Sequence, residues 1–157
     1  MSGWKFAGIP LAAVLLQFTI VSSIQPAEIR PDLILLSTVA VAMLEKRRNW
    51  VLTYGVLAGA MLDLTQGRFI GLNILLMSAV AWAVYQVAQA FMRTSPGLSA
   101  LTVFALSFPV QLGRAAAVSV AGGSYGGWSP VLWFLLISAA VNGLVMIAVH
   151  SAIQVLR

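Results

Sequence analysis

Long apolar stretches with almost no charge separate the few charged residues of this chain. Only 8% of its 157 residues are charged and 61% are hydrophobic, whereas soluble domains carry about 25% charged residues. So few charged groups cannot cover a water-facing surface. About 20 consecutive apolar residues are enough for a helix to cross a bilayer. The composition therefore predicts an all-α integral membrane protein with one domain, residues 1–157.

The apolar stretches predict six transmembrane helices in one bundle. The N-terminal stretch resembles a signal peptide, but no small-x-small cleavage site followed by a soluble domain comes after it, so we interpret it as a retained first helix. The loops are short, which places the activity of the chain inside the membrane or at its surfaces. The predicted spans cover about residues 6–24, 31–44, 50–65, 69–92, 97–121 and 130–155.

The basic residues predict the orientation of these spans. With six spans, six of the nine basic residues fall on one side of the membrane. Cytoplasmic loops are enriched in Lys and Arg, so this side, which also holds both chain termini, is predicted to be cytoplasmic. The net charge of +5 then reflects topology, and no nucleic-acid partner is expected. The six residues are Lys5, Lys46, Arg47, Arg48, Arg93 and Arg157.

Gly55, Gly59 and Asp63 are spaced by four residues and lie on one face of the third predicted span. A Gly-x-x-x-Gly pair allows another helix to approach closely, although most such pairs only pack. Asp63 follows Trp50 by roughly 20 Å of helix rise, which places it toward the outer side of the membrane. A carboxylate there costs less than the roughly 2.5–3.5 kcal/mol expected at the midplane.

Arg114 lies at a similar depth in the fifth predicted span. We therefore predict an intramembrane ion pair between Asp63 and Arg114. The alternative is that the Arg114 side chain extends to the outer headgroups. The order of neighbouring helices, which decides between the two, is not visible in the sequence.

Further residues near the same predicted side favour tight turns and helix starts. Gly67 and Gly71 permit the reversal between the third and fourth spans, and the Asn73 amide is placed to tie this turn or cap the fourth helix. Pro31 suits the first turn of a helix, and Asp32 suits a helix N-terminus.

The sequence offers no convincing catalytic or metal-binding set. It contains no Cys, one His and four carboxylates, so we expect no metal and no cofactor. Gly122-x-Ser124-x-Gly126 matches a nucleophile-elbow pattern but lacks its strand–turn–helix context. His150 lies roughly 30 Å away along the sixth predicted helix and is expected to be a packed or interfacial residue. The chain is therefore predicted not to be an enzyme.

Two short motifs resemble the MreD family of bacterial rod shape-determining proteins. Arg30-Pro31-Asp32-Leu33 opens the second predicted span, and residues 59–73 carry the pattern "G…D…G…GLN". The resemblance implies an inner-membrane protein without catalytic activity, whose fold is similar to the substrate-binding subunits of energy-coupling-factor vitamin transporters. The motif positions are Arg30, Pro31, Asp32, Gly59, Asp63, Gly67, Gly71 and Asn73.

The resemblance also implies partners in the machinery that elongates the peptidoglycan wall. These are the single-span protein MreC, the RodA glycosyltransferase, a class B penicillin-binding transpeptidase and the MreB filament. We predict that the helix of MreC docks on the stripe of Gly55, Gly59 and Asp63. The alternatives are a vitamin-binding transporter subunit and, less favoured, a lipid-modifying membrane enzyme.

Overall fold

The described part of the chain is entirely helical apart from its turns. A computed structural model describes Leu15 and residues 31–66, 69–88, 95–123 and 128–155, which confirms the predicted all-α class. The first predicted span lies outside these residues except for Leu15, which is helical. The five helices are α1 (Leu33–Leu44), α2 (Arg48–Gln66), α3 (Leu72–Val87), α4 (Pro96–Val120) and α5 (Trp128–Val155).

Two of these helices are long and apolar enough to cross a membrane. The segments are Pro96–Val120 in α4 and Ser129–Ser151 in α5. Helices α1 and α3 are also apolar, but with 12 and 16 residues they are shorter than a full span of about 20 residues. The described residues therefore show two helices that are both long and apolar enough to cross a membrane, and the count of six spans stays a prediction.

Local sequence signals explain where α1 and α4 begin. The Asp32 side chain caps α1 by accepting a hydrogen bond from the Leu35 N–H at 3.0 Å. Pro31 therefore lies one residue before the cap, not in the first helical turn as predicted. The Ser95 side chain caps α4, and Pro96 occupies its first position, where a missing N–H costs nothing.

Helix α1 is the centre of the described bundle. It contacts each of the other four helices, and eight of its 12 residues are buried. A helix that is apolar on every side can be buried all round in this way. Ile34, Val39 and Ala42 are fully enclosed, together with Tyr54 of α2 and Met146 of α5. Close van der Waals packing stabilises such contacts inside a membrane, because lipid is as apolar as the core.

The other helices form two antiparallel hairpins. In the α2–α3 hairpin, Asp63 contacts the start of α3, while Gly55 lies against Met77 and Ala81 further along it. In the α4–α5 hairpin, the Gln111 amide donates a hydrogen bond to the Ser138 hydroxyl at 2.9 Å. Helix α1 packs against both hairpins.

The glycine stripe is covered by α3 of the same chain. A Cβ atom at Gly59 would lie 2.5 Å from the Asn73 carbonyl oxygen and from the Ile74 Cα atom. A Cβ atom at Gly55 would lie 2.7 Å from the Ala81 Cβ atom. The stripe does face a neighbouring helix, as predicted, but the turn after α2 returns the chain directly onto this face. Gly55 and Gly59 therefore offer no open surface to a partner helix in this structure, and the docking of MreC is untested.

Candidate functional site: a polar network that joins five helices

One continuous hydrogen-bonded network connects all five described helices around the N-terminal end of α1, a region that we call the polar end. Each helix contributes a side chain to it, and four of the five are less than 9% exposed. An isolated polar group is costly in an apolar interior, so each of these buried side chains is expected to have a hydrogen-bond partner. The five residues are Asp32 at the cap of α1, Asp63 in α2, Asn73 in α3, Arg114 in α4 and Asn142 in α5.

Asp63 caps α3 from the neighbouring helix. Its Oδ2 atom accepts hydrogen bonds from the N–H groups of Gly71 at 2.8 Å and Ile74 at 3.3 Å. Its Oδ1 atom accepts from the backbone N–H of Asn73 at 3.1 Å and from its Nδ2 atom at 2.9 Å. The first N–H groups of a helix have no intrahelical acceptor, and this end of a helix attracts negative charge. The carboxylate supplies both the acceptors and the charge.

Gly71 makes this external cap possible. It precedes α3 with a φ of 99° and provides no side-chain cap of its own. A residue with a side chain adopts this left-handed conformation only rarely, whereas glycine does so without strain. The glycine and the aspartate are therefore two parts of one turn, although eight residues separate them.

Arg114 connects α4 to α1 and α3. Its Nη1 atom donates to Asp32 Oδ2 at 2.8 Å, and its Nε atom donates to Asn73 Oδ1 at 2.9 Å. The predicted direct ion pair between Asp63 and Arg114 is thus replaced by a pair between Asp32 and Arg114. The physical reason is that the N–H groups at the start of α3 already surround the Asp63 carboxylate. The Asn73 amide lies between the two, donating to one and accepting from the other.

Asn142 extends the network to α5. Its Oδ1 atom accepts from the Asp32 backbone N–H at 2.8 Å, and its Nδ2 atom donates to Ser107 Oγ at 3.1 Å. Sequence reasoning missed both Asn142 and Ser107. The signal was present, because an amide near the middle of an apolar helix is expensive unless another helix satisfies it.

Among the described residues, the network contains one ion pair and one buried donor that has no acceptor. The side chains of Arg114 and Asp32 are 24% and 9% exposed, so each largely depends on the other for compensation of its charge. The Nη2 atom of Arg114 is enclosed and finds no hydrogen-bond acceptor among the described residues. An unmet buried donor costs about 1–3 kcal/mol.

The described residues also contain no group of three acidic or histidine side chains that could hold a metal ion.

A second polar pair lies near the opposite end of the α4–α5 hairpin. Ser99 Oγ and His150 Nδ1 are 2.8 Å apart, and the two residues are 0% and 1% exposed. A substrate has no access to groups enclosed in this way. His150 is therefore a packed residue that links two helices, in agreement with the prediction.

The structure brings most of the predicted site residues to the polar end. Asp32, Asp63, Gly71 and Asn73 belong to the network, and Pro31 directly precedes it. Gly55 and Gly59 lie beneath α3 along the same hairpin. Arg30 and Gly67 lie outside the described residues.

Two apolar helices of spanning length, with charged and amide groups buried between the helices of the bundle, are features of helical membrane proteins. Comparison with protein families identifies the particular group. The profile of the rod shape-determining protein MreD matches residues 6–156, nearly the whole chain. The chain therefore belongs to the MreD family.

Comparisons with curated proteins and with solved structures found no match. The similarity to vitamin-transporter subunits has no support from these comparisons and stays a prediction.

Proposed function

We propose that this chain is a non-catalytic scaffold of the complex that determines rod shape and directs peptidoglycan synthesis in the inner membrane. Membership of the MreD family supports the role in rod shape. The observation that favours a scaffold is the polar network itself. Its carboxylate, amide and guanidinium groups bind one another and join five helices, so they stabilise an arrangement of helices.

In this proposal, the single transmembrane helix of MreC packs against the outer surface of the α4–α5 hairpin. These two helices have the length of a complete span, so they offer a partner helix contact across the whole membrane. Helix association in lipid depends on close packing, which small exposed residues favour. Ala140 and Ala148 lie on the outer surface of α5 on either side of Leu144, which is 68% exposed.

The wider proposal places the MreC-bound scaffold beside RodA, a class B penicillin-binding transpeptidase and the MreB filament. Both chain termini are then cytoplasmic, and the polar end of the bundle faces outward. The lipid membrane surrounds the chain, and the proposed role requires no cofactor. This arrangement gives the protein an organising role between the wall-synthesising enzymes and the filament.

The rod-shape role is tested by depleting the protein in its source bacterium. We expect rod-shaped cells to become round and to recover when the wild-type gene is supplied in trans. Cells that stay rod-shaped after complete depletion would contradict the role.

The docking surface is tested by copurification of MreC with bulky variants. We expect the double variant A140L/A148L to lose most of the bound MreC at normal expression, because the larger side chains hold the partner helix away. Ala79→Leu makes the same change at an exposed position on α3, so it is the matched control and should retain MreC. The opposite pattern would place MreC on α3. A stoichiometric vitamin in the purified protein would instead support the transporter alternative.

A further inference from the structure

Three consecutive basic residues lie at the C-terminal end of α1, opposite the network: two are in the turn between α1 and α2, and the third is the first residue of α2. Lys46, Arg47 and Arg48 are all exposed. They lie beyond the C-terminal end of α1, roughly 18 Å of helix rise from Asp32 at its cap. The described charges are therefore divided between two ends of the molecule.

The two groups of charges differ in how they are compensated. At the polar end, Arg114 forms an ion pair with Asp32. At the turn, no acidic side chain of the described residues forms an ion pair with Lys46, Arg47 or Arg48. Glu45 is the only described acidic residue next to them, which leaves the turn with a net charge of about +2 at neutral pH.

The backbone of the turn is held in place. Glu45 Oε1 accepts hydrogen bonds from the N–H groups of Lys46 at 3.0 Å and Arg47 at 3.1 Å. The Tyr85 hydroxyl of α3 donates to the Lys46 carbonyl oxygen at 3.0 Å. The three basic side chains therefore extend from a fixed base, so less conformational entropy is lost when they bind a common ligand.

Local helix stability does not explain these basic residues. Arg48 begins α2, and the first turn of this helix contains no acidic residue. Positive side chains are unfavourable at a helix N-terminus, which attracts anions. An anion bound outside the protein would remove this conflict, because it interacts favourably with the side chains and with the helix end.

Trp50 indicates where the three basic residues lie relative to the membrane. It follows Arg48 by two residues and is 37% exposed. Tryptophan is enriched at the level of the lipid headgroups, where its ring is partly in hydrocarbon and its N–H is near water. A tryptophan in the first turn of α2 places the basic turn beside the phosphate layer.

We propose that Lys46, Arg47 and Arg48 form a binding surface for the phosphate groups of anionic phospholipids in the surrounding leaflet. The complementary charge, the fixed backbone and the adjacent Trp50 favour a lipid at the membrane surface. Each basic residue near an anionic surface strengthens binding roughly fivefold, so three together account for a change on the order of 100-fold. The surface is distinct from the proposed MreC contact and does not depend on it.

The test uses full-length protein in nanodiscs that contain equal amounts of phosphatidylglycerol and phosphatidylcholine. Native mass spectrometry counts the lipids of each class that remain bound after release. We expect the wild type to retain phosphatidylglycerol preferentially, and the variant K46Q/R47Q/R48Q to lose this preference. The variant K46R/R47K/R48K preserves the charge and is the matched control, which should bind like the wild type.

Several results would overturn the proposal. One is equal phosphatidylglycerol retention by the wild type and the glutamine variant. Another is the same loss in the charge-preserving variant, which would show that structure and not charge is responsible. A third is loss of an acidic protein partner from the glutamine variant with unchanged lipid binding.

A measurement on the wild type tests the proposal even if the triple variant has an altered fold or topology. Raising the salt concentration should release phosphatidylglycerol selectively, because exposed charges are screened within about 8 Å at physiological ionic strength and more closely above it. Retention that is independent of salt would also count against the proposal. The single variant R47Q, which leaves two basic residues in the turn, should show an intermediate loss.

Discussion

The Nη1 atom of Arg114 lies 2.8 Å from the Oδ2 atom of Asp32, so an ion pair joins α4 to the cap of α1. The two residues are 82 positions apart in the chain. Asp32 uses its other oxygen to cap α1, so one carboxylate both begins the central helix and fixes its position against α4. The stability of the bundle should therefore be unusually sensitive to this pair.

Arg114→Leu should destabilise the protein by about 3–5 kcal/mol, because it leaves the Asp32 carboxylate largely buried without a counter-charge. The expected result is a lower midpoint of unfolding in a mild detergent, followed by circular dichroism or by proteolysis. The double variant D32N/R114L should recover part of this loss, because it also removes the uncompensated charge.

Double-mutant cycles distinguish the observed pair from the pair that the sequence predicted. The cycle for Asp32 and Arg114 should give a large coupling energy. The cycle for Asp63 and Arg114 should give a smaller one, because their interaction passes through Asn73. Equal or reversed couplings would show that the guanidinium binds Asp63 directly.

Gly59→Ala should separate α2 from α3. The added Cβ atom would meet backbone atoms of Asn73 and Ile74 at 2.5 Å, and backbone cannot move aside as a flexible side chain can. Overpacking of this kind costs about 1–3 kcal/mol. Thermal unfolding in detergent measures the loss.

Gly97→Ala is the matched control for Gly59→Ala. A Cβ atom at Gly97 would have only the Ser95 hydroxyl oxygen within 4 Å, at 3.9 Å. This variant should be neutral or slightly stabilising, since alanine favours helix more than glycine does. Equal destabilisation by both variants would refute the close approach of α2 and α3.

Asp63→Asn should weaken the cap of α3. The amide retains one acceptor oxygen, whereas the carboxylate accepts four hydrogen bonds from the start of α3. Hydrogen bonds to charged groups contribute about 1.5–3 kcal/mol each, so a loss of roughly 2 kcal/mol or more is expected. Hydrogen exchange should increase first at residues 71–74. Leu64→Asn, at a neighbouring position that is 85% exposed, should leave that exchange unchanged.

Asn142→Leu should cost more than Ser138→Ala, although both residues are buried and polar. The first variant leaves the Asp32 N–H without its acceptor at the cap of α1. The second leaves only the Gln111 amide without its partner, and this group is only partly buried. We expect about 1–3 kcal/mol for the first and less than about 1 kcal/mol for the second. Unfolding midpoints in detergent compare the two, and a larger loss for Ser138→Ala would contradict this order.

Much of the architecture follows from local sequence patterns. Apolar stretches without charges predict helices, and five of the six predicted spans correspond to described helices within a few residues. The cap at Asp32 and the glycine turn before Asn73 are also local features. The Asp32 carboxylate accepts from an N–H three residues later, and the positive φ of Gly71 affects only the turn around it. The motifs around Asp32 and Asp63 identified the family, which the match over residues 6–156 confirms.

The tertiary structure decided which side chains meet. Asp63 and Arg114 have suitable charges and similar predicted depths, yet Asp63 is occupied by the start of α3 and Arg114 binds Asp32 instead. The glycine stripe indicates that a helix packs there, but only the fold shows that this helix is α3 of the same chain. Periodicity determines the face on which a residue lies. The neighbour of that face depends on how distant helices pack, and this is a property of the whole bundle.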